Sequence, residues 1–232
     1  MFQNPICVAL DTPDPALAAA MAGRLKGRVG MAKVGMELFY RTGRAGYEQV
    51  AAQGVPVFLD LKLHDIPNTV AQGLTSLMSL APAPAIVNVH ATGGPAMLEA
   101  AARAVDGKAR LIAVTILTSL SDADIHAAGF DPAADTAQTA VKLAQLSKQS
   151  GLDGVVCSPH DTAAIKAACG ADFITVVPGV RPAGADVQDQ KRIATPRTAR
   201  ADGADILVIG RPITQAADPA AAAAAITASL EG

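Results

Sequence analysis

Residues 55–80, VPVFLDLKLHDIPNTVAQGLTSLMSL, hold the pattern that decides the fold. The run 55–60 is apolar almost without interruption, which fits a strand covered on both faces of a parallel sheet. The segment 69–80 places its apolar residues at helical spacing. Asp60, Lys62, His64 and Asp65 crowd the junction, at and just beyond the carboxyl end of the strand. One strand, one polar junction and one helix make a single βα unit.

Working outward in both directions, the same alternation continues. Strand-like apolar runs lie at 6–10, 31–35, 85–89, 111–116, 153–157, 173–177 and 205–209. Segments rich in alanine and leucine with helical spacing lie at 16–25, 43–53, 95–105, 136–150, 162–168, 195–202 and 219–230. Eight such units predict one (β/α)8 barrel domain across residues 1–232, with its active site at the carboxyl ends of the strands. An open doubly wound sheet is the alternative. However, LDTPDP at 10–15 stands where a glycine-rich dinucleotide fingerprint would follow the first strand.

Composition narrows the function. Hydrophobic residues make up 50% of the 232, enough for a sizeable core, and much of that share is alanine. A net charge of −2 argues against nucleic acid or a membrane surface as partner through bulk electrostatics. Aromatic residues at 3%, with no Trp, argue against a base-stacking platform. No stretch suits a membrane span, and the first ten residues lack the pattern of a signal peptide, so a cytoplasmic protein is expected. Cys7, Cys157 and Cys169 form no CxxC pair and read as buried thiols in a reducing compartment. The histidines and carboxylates fit no zinc signature, so no metal is expected.

The polar residues at the strand ends carry the chemistry. Asp11 follows the first strand, Lys33 lies in the second, and Asp60 ends the third with Lys62, His64 and Asp65 directly after. His90, Thr115, Thr118 and Ser158 follow at or near later strand ends. Charges converging on one end of an apolar barrel carry a desolvation cost that only pairing or ligand contact offsets. In extended chain, Asp60 and Lys62 share a side, with a second carboxylate, Asp65, three residues beyond Lys62. Two neighbouring carboxylates favour a charged lysine, a fixed cation and proton donor rather than a Schiff-base nucleophile. A salt-bridge cluster tying the barrel rim together is the structural alternative. His64 reads as local packing, and His90 as a hydrogen-bonded histidine at the barrel mouth. Asp14, 122–124 and 131–135 read as caps and solvated loop.

Gly210-Arg211 after the eighth strand stands where barrels commonly bind phosphate. Glycine lets backbone N–H groups approach, and arginine presents a planar fork of donors. Pro178-Gly179-Val180-Arg181-Pro182 either brings a second cation or forms a stiff loop. The polar segment 178–191 suits a lid or an ordinary solvated connection.

DLKLHDIPNT at 60–69 resembles the Asp-x-Lys-x-x-Asp-Ile-Pro-x-Thr signature of the orotidine 5′-phosphate decarboxylase family. The resemblance spans the chain through VALD at 8–11, KVG at 33–35, VTILTSL at 114–120, VPGVRP at 177–182, Gln190 and VIGRPI at 208–213. It implies cofactor-free conversion of orotidine 5′-monophosphate to UMP. Lys62 would be the catalytic lysine in a charge network with Lys33, Asp60 and Asp65. Asp11 and Lys33 would meet the ribose, and Thr118 the pyrimidine. Arg181, Gln190, Gly210 and Arg211 would hold the phosphate. Asp65 and Thr69 would reach the neighbouring site of a homodimer. The nearest rival is a Mg2+-dependent 3-keto-L-gulonate 6-phosphate decarboxylase or related sugar-phosphate lyase, which the Ile66–Thr69 continuation disfavours. A silent phosphate-binding barrel is a rival of another class, and the intact lysine–carboxylate set speaks against it.

Overall fold

The computed structural model describes residues 4–181 and 194–230. Its strands are β1 (Ile6–Ala9), β2 (Met31–Gly35), β3 (Val57–Leu63), β4 (Ile86–His90), β5 (Arg110–Val114), β6 (Gly154–Val156), β7 (Ile174–Val177) and β8 (Ile206–Ile209). All pair in parallel in chain order, and β1 pairs with β8 to close the barrel. Closure leaves no sheet edge and accounts for the continuous apolar runs: each strand is covered inside and out.

Two apolar clusters meet back to back across the sheet. Val8, Val34, Leu59, Val87 and Leu207 face outward onto the helices. Cys7, Met31, Phe58, Ile86, Ile112 and Val176 fill the lumen. Side chains alternate along a strand, so the next lumen layer toward the carboxyl ends holds the residues two positions on. From Met31, Phe58 and Ile86 that step reaches Lys33, Asp60 and Asn88, all buried. The barrel interior therefore changes from hydrocarbon to charge within one layer.

The helices are α1 (Pro15–Leu25), α2 (Met36–Ala51), α3 (Pro67–Leu77), α4 (Gly94–Val105), α5 (Asp122–Ala127), α6 (Thr136–Gln149), α7 (Thr162–Cys169), α8 (Pro196–Ala201), α9 (Arg211–Thr214) and α10 (Pro219–Ala228). Asp14 caps α1 as expected, accepting from the N–H groups of Ala16 and Leu17. Among the described residues no helix is long and apolar enough to cross a membrane.

Several expectations need correction. The helix expected over 43–53 is preceded by a helical stretch from Met36 that the sequence reading missed. Gly43, with a positive φ of 58°, breaks the helical path between the two in a kink that helical spacing does not reveal. Residues 122–124, expected as caps and solvated loop, open α5. Ser121 and Asp124 satisfy each other's backbone N–H groups in a capping box there. Asp60 does not end β3, which runs on to Leu63. Most of the 178–191 segment, including Gln190, lies outside the described residues.

Candidate active site

The site grows from an irregularity between β3 and β4. Leu59 pairs with Val87 and Leu63 with Val89, so four steps on β3 answer two on β4. A bulge of this kind bends a strand and re-aims its side chains. Lys62 sits inside it with φ 52°, a left-handed conformation costly for a residue with a Cβ. The extended geometry expected for 60–62 is thus corrected. The two side chains meet as expected, but through a bulge rather than through strand alternation.

Three ion pairs link four charges in a row. Lys62 Nζ donates to Asp60 Oδ1 at 2.7 Å. The other oxygen of Asp60, Oδ2, lies 3.5 Å from Lys33 Nζ, which in turn donates to Asp11 Oδ1 at 3.0 Å. The order Asp11, Lys33, Asp60, Lys62 alternates in sign across β1, β2 and β3. Asp11 is largely exposed, Lys33 and Asp60 are buried, and Lys62 is about one quarter exposed, at 25%.

Burial and pairing compete at each group. Burial alone disfavours the Lys33 ammonium, but the Asp60 and Asp11 carboxylates outweigh it and raise its pKa. Burial would likewise protonate Asp60. The charges of Lys33 and Lys62, with hydrogen bonds from Lys62 and Asn88, hold the carboxyl below its ordinary range. Burial pushes the Cys7 thiol up despite the nearby Lys33, so Cys7 stays a neutral floor under the charges. All three cysteines are free and buried.

Spacing alone brought Asp65 close to Lys62, whereas the family resemblance assigned it to the neighbouring subunit's site. Among the described residues of this chain it forms no ion pair with Lys62, and its Oδ1 accepts from the Ile66 N–H. Asp65 and Thr69 are both exposed. His90 is also corrected: among the described residues no hydrogen bond to its ring occurs, and it faces the His64 ring at a centroid distance of 5.4 Å. Burial, then the nearby His64 and Lys62, lower the His90 pKa against the pull of Asp60.

A cavity of about 440 Å³ opens beside the charge row. Asp11, Lys33, Arg181, Gly210 and Arg211 line it, which unites five of the sequence-predicted residues. Gly210 leaves β8 and begins α9, the short helix that carries Arg211. A Cβ at Gly210 would stand 3.4 Å from that of Ala9 and 3.9 Å from Asp11 Oδ2, at ordinary contact with β1 and the charge row. Arg181 is buried and donates to the Val180 carbonyl. Thr118 lies in the turn after β5 and is not among the lining residues. Thr214 and Gln215 line the cavity without having been singled out from sequence.

Two further residues went unnoticed in the sequence. Asn88 binds both Asp60 and the Lys62 backbone, and its signal was the inward register of Ile86, Asn88 and His90 in β4. A Cβ at Gly35 would come 3.0 Å from Lys33 Nζ, so the glycine keeps room for the ammonium.

A larger depression of about 890 Å³ lies at the opposite end, among the starts of β4 to β8. Three of its charged residues are held in ion pairs: Arg110 with Asp153 at 2.7 Å, and Asp205 with the neighbouring Lys166 at 2.6 Å. Among the described residues no group of three or more His, Cys, Asp and Glu side chains is arranged to hold a metal ion.

The chain is similar to known proteins along nearly its whole length. Residues 4–226 match the model of the Orotidine 5'-phosphate decarboxylase / HUMPS family. An orotidine 5'-phosphate decarboxylase of Paramagnetospirillum magneticum is 50% identical, over 98% of each chain. That of Novosphingobium aromaticivorans is 51% identical, over 99% of this chain and 100% of its own. The crystal structure of orotidine 5'-phosphate decarboxylase from Lactobacillus acidophilus superposes with a TM-score of 0.85 at 36% identity, covering 99% of this chain and 100% of that one.

Proposed function

The chain belongs to the Orotidine 5'-phosphate decarboxylase / HUMPS family as a carboxy-lyase, and from that premise we propose that it converts orotidine 5′-monophosphate to UMP and CO2 in pyrimidine biosynthesis. The observation that carries the reading is the Lys62–Asp60 pair, a fixed ammonium held 2.7 Å from a buried carboxylate at the barrel mouth.

Loss of CO2 from C6 of the pyrimidine leaves an electron pair in the plane of the ring, where the π system does not delocalise it. A cation placed in advance beside that carbon stabilises the charge as it develops, without reorganisation at the moment of reaction. Lys62 supplies that cation and then the proton. Asp60 aims it, and Lys33 neutralises the other carboxylate oxygen. The residues alone provide for the reaction, with no cofactor or metal assigned a step.

The rest of the nucleotide supplies binding energy. Arg211, Arg181 and the Gly210 backbone take the phosphate, and Gln190, outside the described residues, is assigned to it through the family motif. Asp11 and Lys33 meet the ribose hydroxyls between phosphate and base. Thr118 is assigned to the pyrimidine. Energy gained at a remote phosphate raises kcat when it orders the site around the reacting carbon.

The exposed Asp65 and Thr69 support a homodimer in which each reaches the site of the other protomer, where Asp65 completes the alternation of charges beyond Lys62. The enzyme acts as one barrel domain in the cytoplasm. The test is direct: the absorbance of orotidine 5′-monophosphate should fall on adding the protein, equally with and without EDTA. No change would reject the reading, and EDTA-sensitive release of CO2 from 3-keto-L-gulonate 6-phosphate in its place would favour the Mg2+-dependent sugar-phosphate lyases.

A further inference from the structure

Asn88 is 1% exposed and lies in the lumen layer that holds Lys33 and Asp60. Its Nδ2 donates to Asp60 Oδ1 at 2.7 Å, the same oxygen that accepts from Lys62 Nζ. Its Oδ1 accepts from the backbone N–H of Lys62 at 2.8 Å. The bulge has removed that N–H from the regular β3–β4 ladder, and the carboxamide takes the place of a strand carbonyl. The orientation of the amide is forced. A carboxylate needs its NH2 end, and an N–H donor needs its oxygen.

We propose that Asn88 is a positioning residue for the decarboxylation: one buried carboxamide fixes both the left-handed backbone of Lys62 and the plane of the Asp60 carboxylate, and so sets where the Lys62 ammonium stands. This inference rests on the function proposed above. An apolar side chain at 88 would leave the part-buried Lys62 N–H without its acceptor and would release a residue whose backbone is disfavoured. An ionised carboxylate at 88 would keep the bond to the Lys62 N–H but could not donate to Asp60, and would set two like charges together. Asparagine satisfies both neighbours and adds no charge.

The test uses Asn88→Ala and the isosteric Asn88→Asp, each checked for folding by circular dichroism and for UMP binding. Displacing a reacting group by about 1 Å costs on the order of 100-fold, so Asn88→Ala should lower kcat by about that factor. KM and the Kd for UMP should move less than about threefold, since the phosphate residues lie beyond the ends of β7 and β8 and on α9.

Asn88→Asp separates positioning from mere support of the fold. Once protonated, the carboxyl group introduced by Asn88→Asp regains a donor toward Asp60, so the ratio of the variant's kcat to that of the parent protein should rise at least about tenfold from about pH 8 to about pH 5. The other ionisable groups around Asp60, namely Lys33, Lys62, Asp11, Cys7, His64 and His90, are common to both proteins, so the ratio reads the group introduced at 88 together with any shift it causes in them. A pH-independent ratio, or Asn88→Ala with kcat within about threefold of the parent, would overturn the inference. So would a loss confined to melting temperature. If Asn88→Ala does not fold, the isosteric variant carries the test. Failure of the unmodified protein to decarboxylate would instead overturn the proposed function, so the two failures are distinct.

Discussion

Lys62 and Asp60 are two residues apart on β3, and their charged ends meet at 2.7 Å because the backbone between them leaves the strand pattern, with φ 52° at Lys62. The carboxylate is shared: Lys33 faces its other oxygen at 3.5 Å. Two cations around one buried anion leave the outer one, Lys62, partly exposed toward the mouth.

Removing the outer cation should therefore stop the chemistry and spare binding. Lys62→Ala is expected to lower kcat by about 1000-fold or more, as loss of a preorganised charge at the reacting centre does. UMP binding, measured by calorimetry, should remain. A near-normal kcat would remove Lys62 from the reaction.

Arg211 lines the cavity on the side of β8, away from the β3–β4 bulge. Arg211→Ala is expected to cost about 2–3 kcal/mol in kcat/KM for the phosphorylated substrate, the scale of hydrogen bonds to a charged group. For the nucleoside orotidine, which lacks the phosphate, the loss should be much smaller. Equal losses for the two substrates would contradict a phosphate contact.

Asp65 and Lys62 do not pair within the chain, and the proposed dimer brings them together across protomers. In a two-fold dimer each site then takes Lys62 from one protomer and Asp65 from the other. Lys62→Ala and Asp65→Ala proteins, each inactive alone, should give about a quarter of normal activity when mixed equally and allowed to exchange subunits. No recovery despite demonstrated exchange would place Asp65 outside the neighbouring site.

The barrel was legible because its strands are covered on both faces, so apolar runs such as 206–209 stand out without any need for periodicity. Asp11, Lys33, Gly210 and Arg211 were legible because a parallel barrel gathers its strand ends at one rim. Asp60 and Lys62 were found for a partly mistaken reason. An extended chain would also have placed them together, and a left-handed residue in a bulge has no signature in a run of leucine and lysine. Asn88 was missed because one amide in an apolar strand carries no charge to draw notice, and its importance arises only from what β3 does opposite it. The kink at Gly43 and the short α5 are set by local backbone geometry and capping, which hydrophobic spacing does not record.

His90 offers a test of the electrostatics at the mouth. Burial, His64 and Lys62 together hold its pKa below the ordinary value of 6.5, against the attraction of Asp60. The folded protein therefore binds this proton less readily than the unfolded chain does. Stability from this source is fully present above the unfolded value and is lost as pH falls through the folded value. The melting temperature should fall as pH drops from about 7 to about 5, and His90→Asn should flatten that fall by removing the titrating ring. His64→Asn should keep the fall but make it shallower, because it removes one cause of the depression while leaving burial and Lys62 in place. Identical pH slopes in the parent protein and His90→Asn would show that the ring at the end of β4 does not feel the charge row beside it.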